Sequence, residues 1–176
     1  MKTICITGGA GRVGHKYIEA ILKEGHKVIC IDALTPFSLI KKERLEPFKS
    51  NPNFKLVTRN IIETTEMEKV FNENKIDVVV HLAGRTDNTL LMQRDVLLSA
   101  GIMLELAYRA GVKQVFLDNT HVQKSDGMDK PNRVIHNSLR LAITSIAYGY
   151  EELGMSVDFI ESPTVSPQEV VSYITN

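Results

Sequence analysis

The sequence predicts an α/β protein built on a doubly wound parallel sheet of about six strands, with helices on both faces. Short β-rich runs alternate with helical patterns along all 176 residues, which is the order expected of a parallel sheet. The run IDVVVHLAG at 76–84 is almost continuously apolar, as in a strand that is covered on both faces. With 43% hydrophobic residues, the chain can bury roughly 70% of its unfolded surface.

The individual elements follow from the periodicity of the apolar residues. We predict strands over residues 2–7, 27–32, 54–58, 76–82, 113–118 and 155–160. We predict helices over residues 12–24, 39–49, 64–73, 89–109, 134–153 and 167–175. Gly25, Gly111 and Gly154 each follow a predicted helix, where glycine commonly ends the helix in a left-handed conformation.

The most specific motif lies at the start of the chain, in KTICITGGAGRVG at 2–14. A β-rich run precedes three glycines spaced three residues apart, and a helical pattern follows them. Such glycines allow a tight turn, the approach of a pyrophosphate and close packing of helix on strand. The first N–H groups of the helix then face the phosphates. The motif predicts a Rossmann-type dinucleotide site, with pyrophosphate-binding residues Gly8, Gly11, Arg12, Val13 and Gly14.

An acidic residue, Asp32, ends the second predicted strand. It follows Gly14 at close to the spacing of roughly 20 residues that is typical of a carboxylate on the adenosine ribose. Because an acid there repels a 2′-phosphate, we predict NAD in preference to NADP. The alternative that Asp32 only caps a turn stays open. Lys41, Lys42 and Arg44 could attract a 2′-phosphate, but we interpret them as the solvated face of a helix.

Charge and cysteine content exclude several classes of function. Lys plus Arg and Asp plus Glu both number 21, which favours neither a nucleic-acid nor a membrane partner. We expect no N-terminal signal peptide, because the first residues already form a strand.

Cys5 and Cys30 are interpreted as buried hydrophobic residues in a reducing cytoplasm, and a disulfide between them is the less favoured alternative. The histidines lack close ligand spacing, so we expect no metal site.

Four segments together carry a family resemblance. They are TGGAGRVG at 7–14, Asp32, HLAG at 81–84 and AYRAGVKQVFLDN at 107–119. They resemble the extended short-chain dehydrogenase/reductase family of NAD-dependent nucleotide-sugar epimerases and dehydratases, up to about residue 165. The resemblance implies that Leu82, Ala83 and Gly84 line the cofactor. It also places Asn60 and Ile61 at the adenine, with an amide where the family has an acid.

The catalytic positions of that family are all substituted here. The family uses Ser or Thr after the fifth strand, and Tyr and Lys four residues apart on a helix. The matching residues are Asn119, His136 and Arg140. His136 can act as an acid or a base near neutral pH, and the neighbouring positive charge of Arg140 favours its neutral form. Arg140 keeps the charge of the lysine but does not titrate.

Three functional hypotheses stay open. The first is a binding or regulatory module that binds NAD and is catalytically degenerate. The second is an active oxidoreductase or epimerase-like enzyme that uses His136 on a small or partner-delivered substrate. The third is a structural subunit that dimerises and does not use a cofactor, against which the intact glycine motif argues. We predict a dinucleotide-binding domain over 1–165 and a C-terminal helix or tail over 166–176, without a separate substrate domain.

The predicted helices 89–109 and 134–153 carry apolar residues on more than one face. Packing against the sheet accounts for one face only. The family resemblance implies that these two helices pair with their copies in a four-helix interface. We therefore predict a homodimer through helices 89–109 and 134–153.

Overall fold

The described part of the chain alternates strands and helices along its length. The computed structural model describes the backbone of residues 1–34, 39–84, 90–118, 130–160 and 166–175. Within these ranges, the side chains of residues 90–93, 130–136 and 175 are not described. The strands are β1 (Thr3–Thr7), β2 (Lys27–Ile31), β3 (Phe54–Val57), β4 (Val78–His81), β5 (Gln114–Asp118) and β6 (Ser156–Ile160). The helices are α1 (Gly14–Lys23), α2 (Leu39–Leu45), α3 (Thr64–Glu73), α4 (Leu90–Arg109), α5 (Lys130–Glu152) and α6 (Pro167–Thr175).

The six strands form one parallel sheet in the order β3-β2-β1-β4-β5-β6. From β1 the chain adds β2 and β3 on one side, and then β4, β5 and β6 on the other. The order therefore reverses between β1 and β4, where Thr7 pairs with His81 at the carboxyl ends of the two strands. Ligands of open α/β sheets bind in the crevice outside such a switch point.

Two apolar clusters cover the two faces of the sheet. Cys5 and Ile29 face a cluster formed with α3, α4 and α5. Ile4 and Val28, one residue earlier on the same strands, face the opposite cluster, which includes α1, α6 and Leu45 at the end of α2. This alternation is the two-residue period of β-strands, and it confirms the doubly wound architecture.

The sequence predicted every one of these strands and helices to within a few residues. Gly25, Gly111 and Gly154 adopt positive φ angles of 77°, 75° and 87° after their helices, as predicted. Cys5 and Cys30 are free and buried, and burial raises the pKa of the Cys30 thiol to about 12. Their side chains lie in opposite clusters, so the disulfide alternative is wrong.

Two helix boundaries differ from the prediction for reasons that involve proline. The predicted helix 39–49 is α-helical only to Leu45 and continues as a 3₁₀ turn over Glu46–Phe48, with Pro47 in its first turn. The predicted helix 134–153 begins earlier, at Lys130, with Pro131 as its second residue. Proline is well tolerated in a first turn, where its missing N–H would have no partner. In the described ranges, no helix combines the length and the apolarity needed to cross a membrane.

Candidate functional site

The glycine loop between β1 and α1 has no room for side chains at its first and last glycines. Gly8 has φ of 71°, and a Cβ there would lie 2.8 Å from the Cα of Ala83. A Cβ on Gly14 would lie 2.6 Å from the Cα of Gly9, far inside ordinary contact. The loop is thus held directly against the segment after β4, at the switch point of the sheet.

The start of α1 presents unpaired amide groups at this loop. Among the described residues, the N–H groups of Arg12, Val13 and Gly14 have no hydrogen-bond acceptor. Arg12 and Val13 are exposed, whereas Gly14 is buried. Amide donors at a helix N-terminus are suited to a phosphate group, and three of the five residues predicted for the pyrophosphate have such donors, since the amides of Gly8 and Gly11 bond within the fold.

Asp32 lies directly beyond β2 and is 4% exposed. Its Oδ2 accepts a hydrogen bond from the amide of Ala10 in the glycine loop, at 3.1 Å. Its Oδ1 accepts one from the amide of Leu34, at 2.9 Å. The carboxylate therefore shapes its own turn, as the alternative interpretation proposed, and also ties that turn to the glycine loop.

The interpretation of Lys41 and Arg44 as a solvated helix face is only partly right, because both residues are partly exposed but also contact groups at and beside the glycine loop. The Lys41 Nζ lies 3.1 Å from the Asp32 Oδ1, and the Arg44 Nη1 donates to the carbonyl oxygen of Ala10 at 3.3 Å. Both residues are half-buried, whereas Lys42 is exposed as expected. The carboxylate of Asp32 attracts the Lys41 ammonium by its charge, and the Ala10 carbonyl oxygen accepts a hydrogen bond from Arg44.

The other predicted cofactor residues lie along the same edge of the sheet. Asn60 and Ile61 follow β3, where the exposed Asn60 side chain accepts a hydrogen bond from the Ile62 amide at 3.3 Å. Leu82, Ala83 and Gly84 follow β4. Together with the glycine loop and Asp32, these segments form a continuous row at the carboxyl ends of β1 to β4.

A buried polar chain that the sequence analysis missed supports this row. The Ala83 amide donates to the Thr7 Oγ1 at 3.3 Å, and Thr7 Oγ1 lies 2.7 Å from the His81 Nδ1. On the other side of the ring, His81 Nε2 lies 3.3 Å from the Ser99 Oγ, which donates to the Val96 carbonyl at 3.1 Å. These contacts are all satisfied when Thr7 donates to Nδ1 and a neutral His81 donates from Nε2. The signal in the sequence was a polar residue ending each of two buried apolar strands.

The polar chain borders a small internal cavity. The cavity has a volume of about 10 Å³, and its walls include His81 at the end of β4, Leu82 and Ala83 after it, and Leu117 and Asp118 at the end of β5. This is room for about one water molecule. His81 is buried, and it contacts Thr7, whose Oγ1 also accepts the hydrogen bond from the Ala83 amide.

Protonation of His81 is expected to destabilise the fold as the pH falls. Complete burial lowers the pKa of His81 to about 4, whereas a histidine of the unfolded chain titrates near ~6.5. Between these values the unfolded chain binds a proton that the folded chain does not bind. The free energy of unfolding should therefore decrease from about pH 6.5 to about pH 4, by on the order of 3 kcal/mol.

Denaturant unfolding of the wild type and His81→Asn across this range measures the effect. His26 also has a lowered pKa, chiefly because of burial, so His26→Asn serves as the matched control. The free energy of unfolding should depend on pH clearly less in His81→Asn than in His26→Asn. If it depended on pH equally in His81→Asn and in the wild type, that result would contradict a buried neutral His81.

The predicted catalytic residues are described only in part. Asn119 lies outside the described residues. The backbone of His136 lies in α5, but its side chain is outside the description. Arg140 is four residues further along α5 and is exposed. In the described ranges, no group of three His, Cys, Asp or Glu side chains is placed to hold a metal ion.

Comparisons with known proteins agree with this arrangement. The model of the NAD dependent epimerase/dehydratase family matches residues 4–137. The UDP-glucose 4-epimerase of Neisseria meningitidis serogroup A is 33% identical over 84 residues, which cover 48% of this chain and 24% of that enzyme. The dTDP-D-glucose 4,6-dehydratase of Dictyostelium discoideum is 29% identical over 147 residues, which cover 79% of this chain and 33% of that enzyme.

Solved structures show the same fold. The UDP-glucose 4-epimerase from Bifidobacterium longum, in complex with NAD⁺ and UDP, matches with a TM-score of 0.71 at 22% identity, over 91% of this chain and 52% of that enzyme. The chain spans about a quarter to a third of the two curated relatives and about half of the solved enzyme. The NAD dependence of the matched family agrees with the cofactor predicted from the sequence. Since the family model covers most of the chain, from β1 into α5, the protein belongs to the NAD dependent epimerase/dehydratase family.

Proposed function

We propose that this chain binds NAD and acts as a binding or regulatory module rather than as a nucleotide-sugar epimerase or dehydratase. The observation that carries the binding is that three amide groups at the start of α1, those of Arg12, Val13 and Gly14, have no acceptor among the described residues. Donors at this place suit a pyrophosphate, which brings one charge on each phosphate. Bound NAD would supply the capacity to accept or donate a hydride.

The adenosine half of NAD would be held at the ends of β2 and β3. The Asp32 carboxylate has roughly four acceptor positions, and three neighbouring donors occupy it in this structure. One position is thus left for a ribose hydroxyl. Asn60 and Ile61 would border the adenine, where an amide can both donate and accept.

The proposal of a degenerate site rests on the residues that replace the proton-transfer set. Asn119, His136 and Arg140 stand where the family has Ser or Thr, Tyr and Lys. Catalytic residues that act together contribute to the rate as a unit, and loss of one of them removes most of the rate enhancement. Two buried free thiols, Cys5 and Cys30, support our further proposal of a reducing, cytoplasmic environment.

Calorimetric titration of the full chain with NAD and NADH tests the binding. We expect saturable binding of one dinucleotide per chain. The absence of heat with both forms, together with unchanged thermal stability at millimolar dinucleotide, would overturn the proposed function. Because a ligand that binds only the folded state raises its stability, the two measurements check each other.

We also propose that the protein forms a homodimer through α4 and α5. These helices pack against each other on one face of the sheet, yet they leave large apolar side chains exposed. On α5, Leu141 is 68% and Tyr148 61% exposed, and on α4, Leu98 is 45% exposed. Leu141 and Tyr148 are seven residues apart and so lie on one side of the helix. A self-complementary patch of this kind suits a two-fold axis.

Replacing Leu141 by glutamate is expected to weaken the dimer by roughly 100-fold or more, because it places a charge in a desolvated apolar contact. Sedimentation equilibrium measures the dissociation constant. Tyr173→Glu is the matched control, since Tyr173 is 67% exposed but lies on α6, on the opposite face of the sheet. A wild-type protein that stays monomeric at high micromolar concentration would refute the interface.

A further inference from the structure

The adenosine end of the site contains two cations as well as the expected acid. Lys41 contacts the Asp32 carboxylate at 3.1 Å, and the Asp32 side chain is only 2% exposed whereas that of Lys41 is 31% exposed. The Lys41 side chain is thus partly accessible, whereas the Asp32 carboxylate is almost fully buried. A ligand that approaches Asp32 from solvent meets Lys41 beside it.

Arg44 brings a second positive charge to the same place. It lies one turn after Lys41 on α2, and its Nη1 donates to the carbonyl of Ala10 at 3.3 Å. Ala10 in turn donates its amide to Asp32. Asp32 and Arg44 therefore both contact Ala10, Lys41 contacts Asp32, and the formal charges of the three side chains add to +1.

The charges of Lys41 and Arg44 reduce the electrostatic repulsion between the site and a 2′-phosphate. An isolated carboxylate beside the ribose repels a phosphate on the 2′-oxygen, but the Lys41 ammonium offsets this repulsion at close range. An ammonium has three donors, of which one is used by Asp32. The remaining donors can serve a phosphate, for which lysine acts as a point charge.

We infer that Lys41, assisted by Arg44, makes the adenosine end of the site tolerant of a 2′-phosphate, so that the chain binds NADP as well as NAD. NAD remains favoured because Asp32 keeps an acceptor for the 2′-hydroxyl, and Lys41 limits the preference to less than about ten-fold. The inference rests on the proposed dinucleotide binding and adds a specificity-determining residue to it.

Calorimetric titration of the full chain with NAD and NADP, in the wild type, Lys41→Met and Lys42→Met, tests the inference. Methionine keeps the length and apolar stem of lysine and removes the charge. We expect Lys41→Met to raise the ratio of the NADP to the NAD dissociation constant by roughly ten-fold or more, mainly by weakening NADP. Lys42, exposed between the two cations, is the matched control, and Lys42→Met should leave the ratio unchanged.

The possible outcomes separate this inference from the proposed function. A wild-type ratio above about ten, or the same ratio in Lys41→Met and Lys42→Met, would overturn the role of Lys41 while NAD binding stands. A loss of affinity for both dinucleotides in equal proportion in Lys41→Met would also overturn it, because that is the effect of a merely structural ion pair. If the wild type binds neither dinucleotide, the proposed function fails and this inference fails with it.

Discussion

Replacement of Gly14 by valine is expected to abolish NAD binding, with a loss of affinity of more than about 100-fold. A Cβ at this position would lie 2.6 Å from the Cα of Gly9, so the side chain forces the glycine loop away from the start of α1. The displaced loop carries the amide groups that would hold the pyrophosphate. Calorimetric titration with NAD measures the loss, and circular dichroism checks that the fold is retained.

Two glycine-to-alanine variants test the same steric effect on NAD binding without introducing a large side chain. Gly14→Ala introduces the same Cβ and should still weaken NAD binding strongly. Gly101→Ala is the matched control, because Gly101 lies inside α4 and a Cβ there meets no atom within 4 Å beyond the adjacent backbone of its own helix. The control should bind NAD as the wild type does and be more stable by about 0.5–1 kcal/mol, since alanine favours a helix interior over glycine. Equal NAD affinity in the two variants would contradict the loop as the pyrophosphate site.

The sequence predicted the fold nearly completely because its local signals agree with one another. Apolar strands, amphipathic helices and helix-ending glycines all indicate one alternating order, and consistency of this kind specifies a single structure. The glycine loop could be predicted for the same reason: Gly8 and Gly14 are fixed by steric contacts that only a residue without Cβ avoids.

The parts of the site that sequence reasoning missed depend on contacts between distant segments. Lys41 and Arg44 sit on a helix whose pattern is that of a polar surface, and only the packing of α2 beside the glycine loop brings them to Asp32 and Ala10. In the same way, Thr7 and Ser99 meet at His81 from β1 and α4. Periodicity reports which face of an element is buried, but it does not report which charged groups meet across elements.

Little or no turnover of common nucleotide sugars is the second large effect that we expect. Asn119, His136 and Arg140 replace the groups that would transfer the proton and hold the nicotinamide ribose. Loss of a positioned acid or base alone typically removes a factor of ~10²–10⁴ in rate, and an arginine in place of lysine does not titrate to support it. Incubation of the full chain and NAD with UDP- and dTDP-linked sugars, followed by product analysis and absorbance of the reduced nicotinamide, measures this turnover.

Substitutions on α5 distinguish a degenerate site from one that uses His136 as its base. In a degenerate site, the double variant His136→Tyr, Arg140→Lys should gain slow redox exchange with bound cofactor, because it restores a tyrosine and a lysine four residues apart on one helix face. If His136 is a working base, His136→Tyr should instead destroy a native activity that rises with pH through a limb at or below ~6.5. Asn137→Ala, at the exposed neighbouring position of α5, is the control that should change neither result. Robust wild-type turnover of a nucleotide sugar that persists in His136→Tyr would contradict both forms of the proposal, since the proton would then have to pass through a different group.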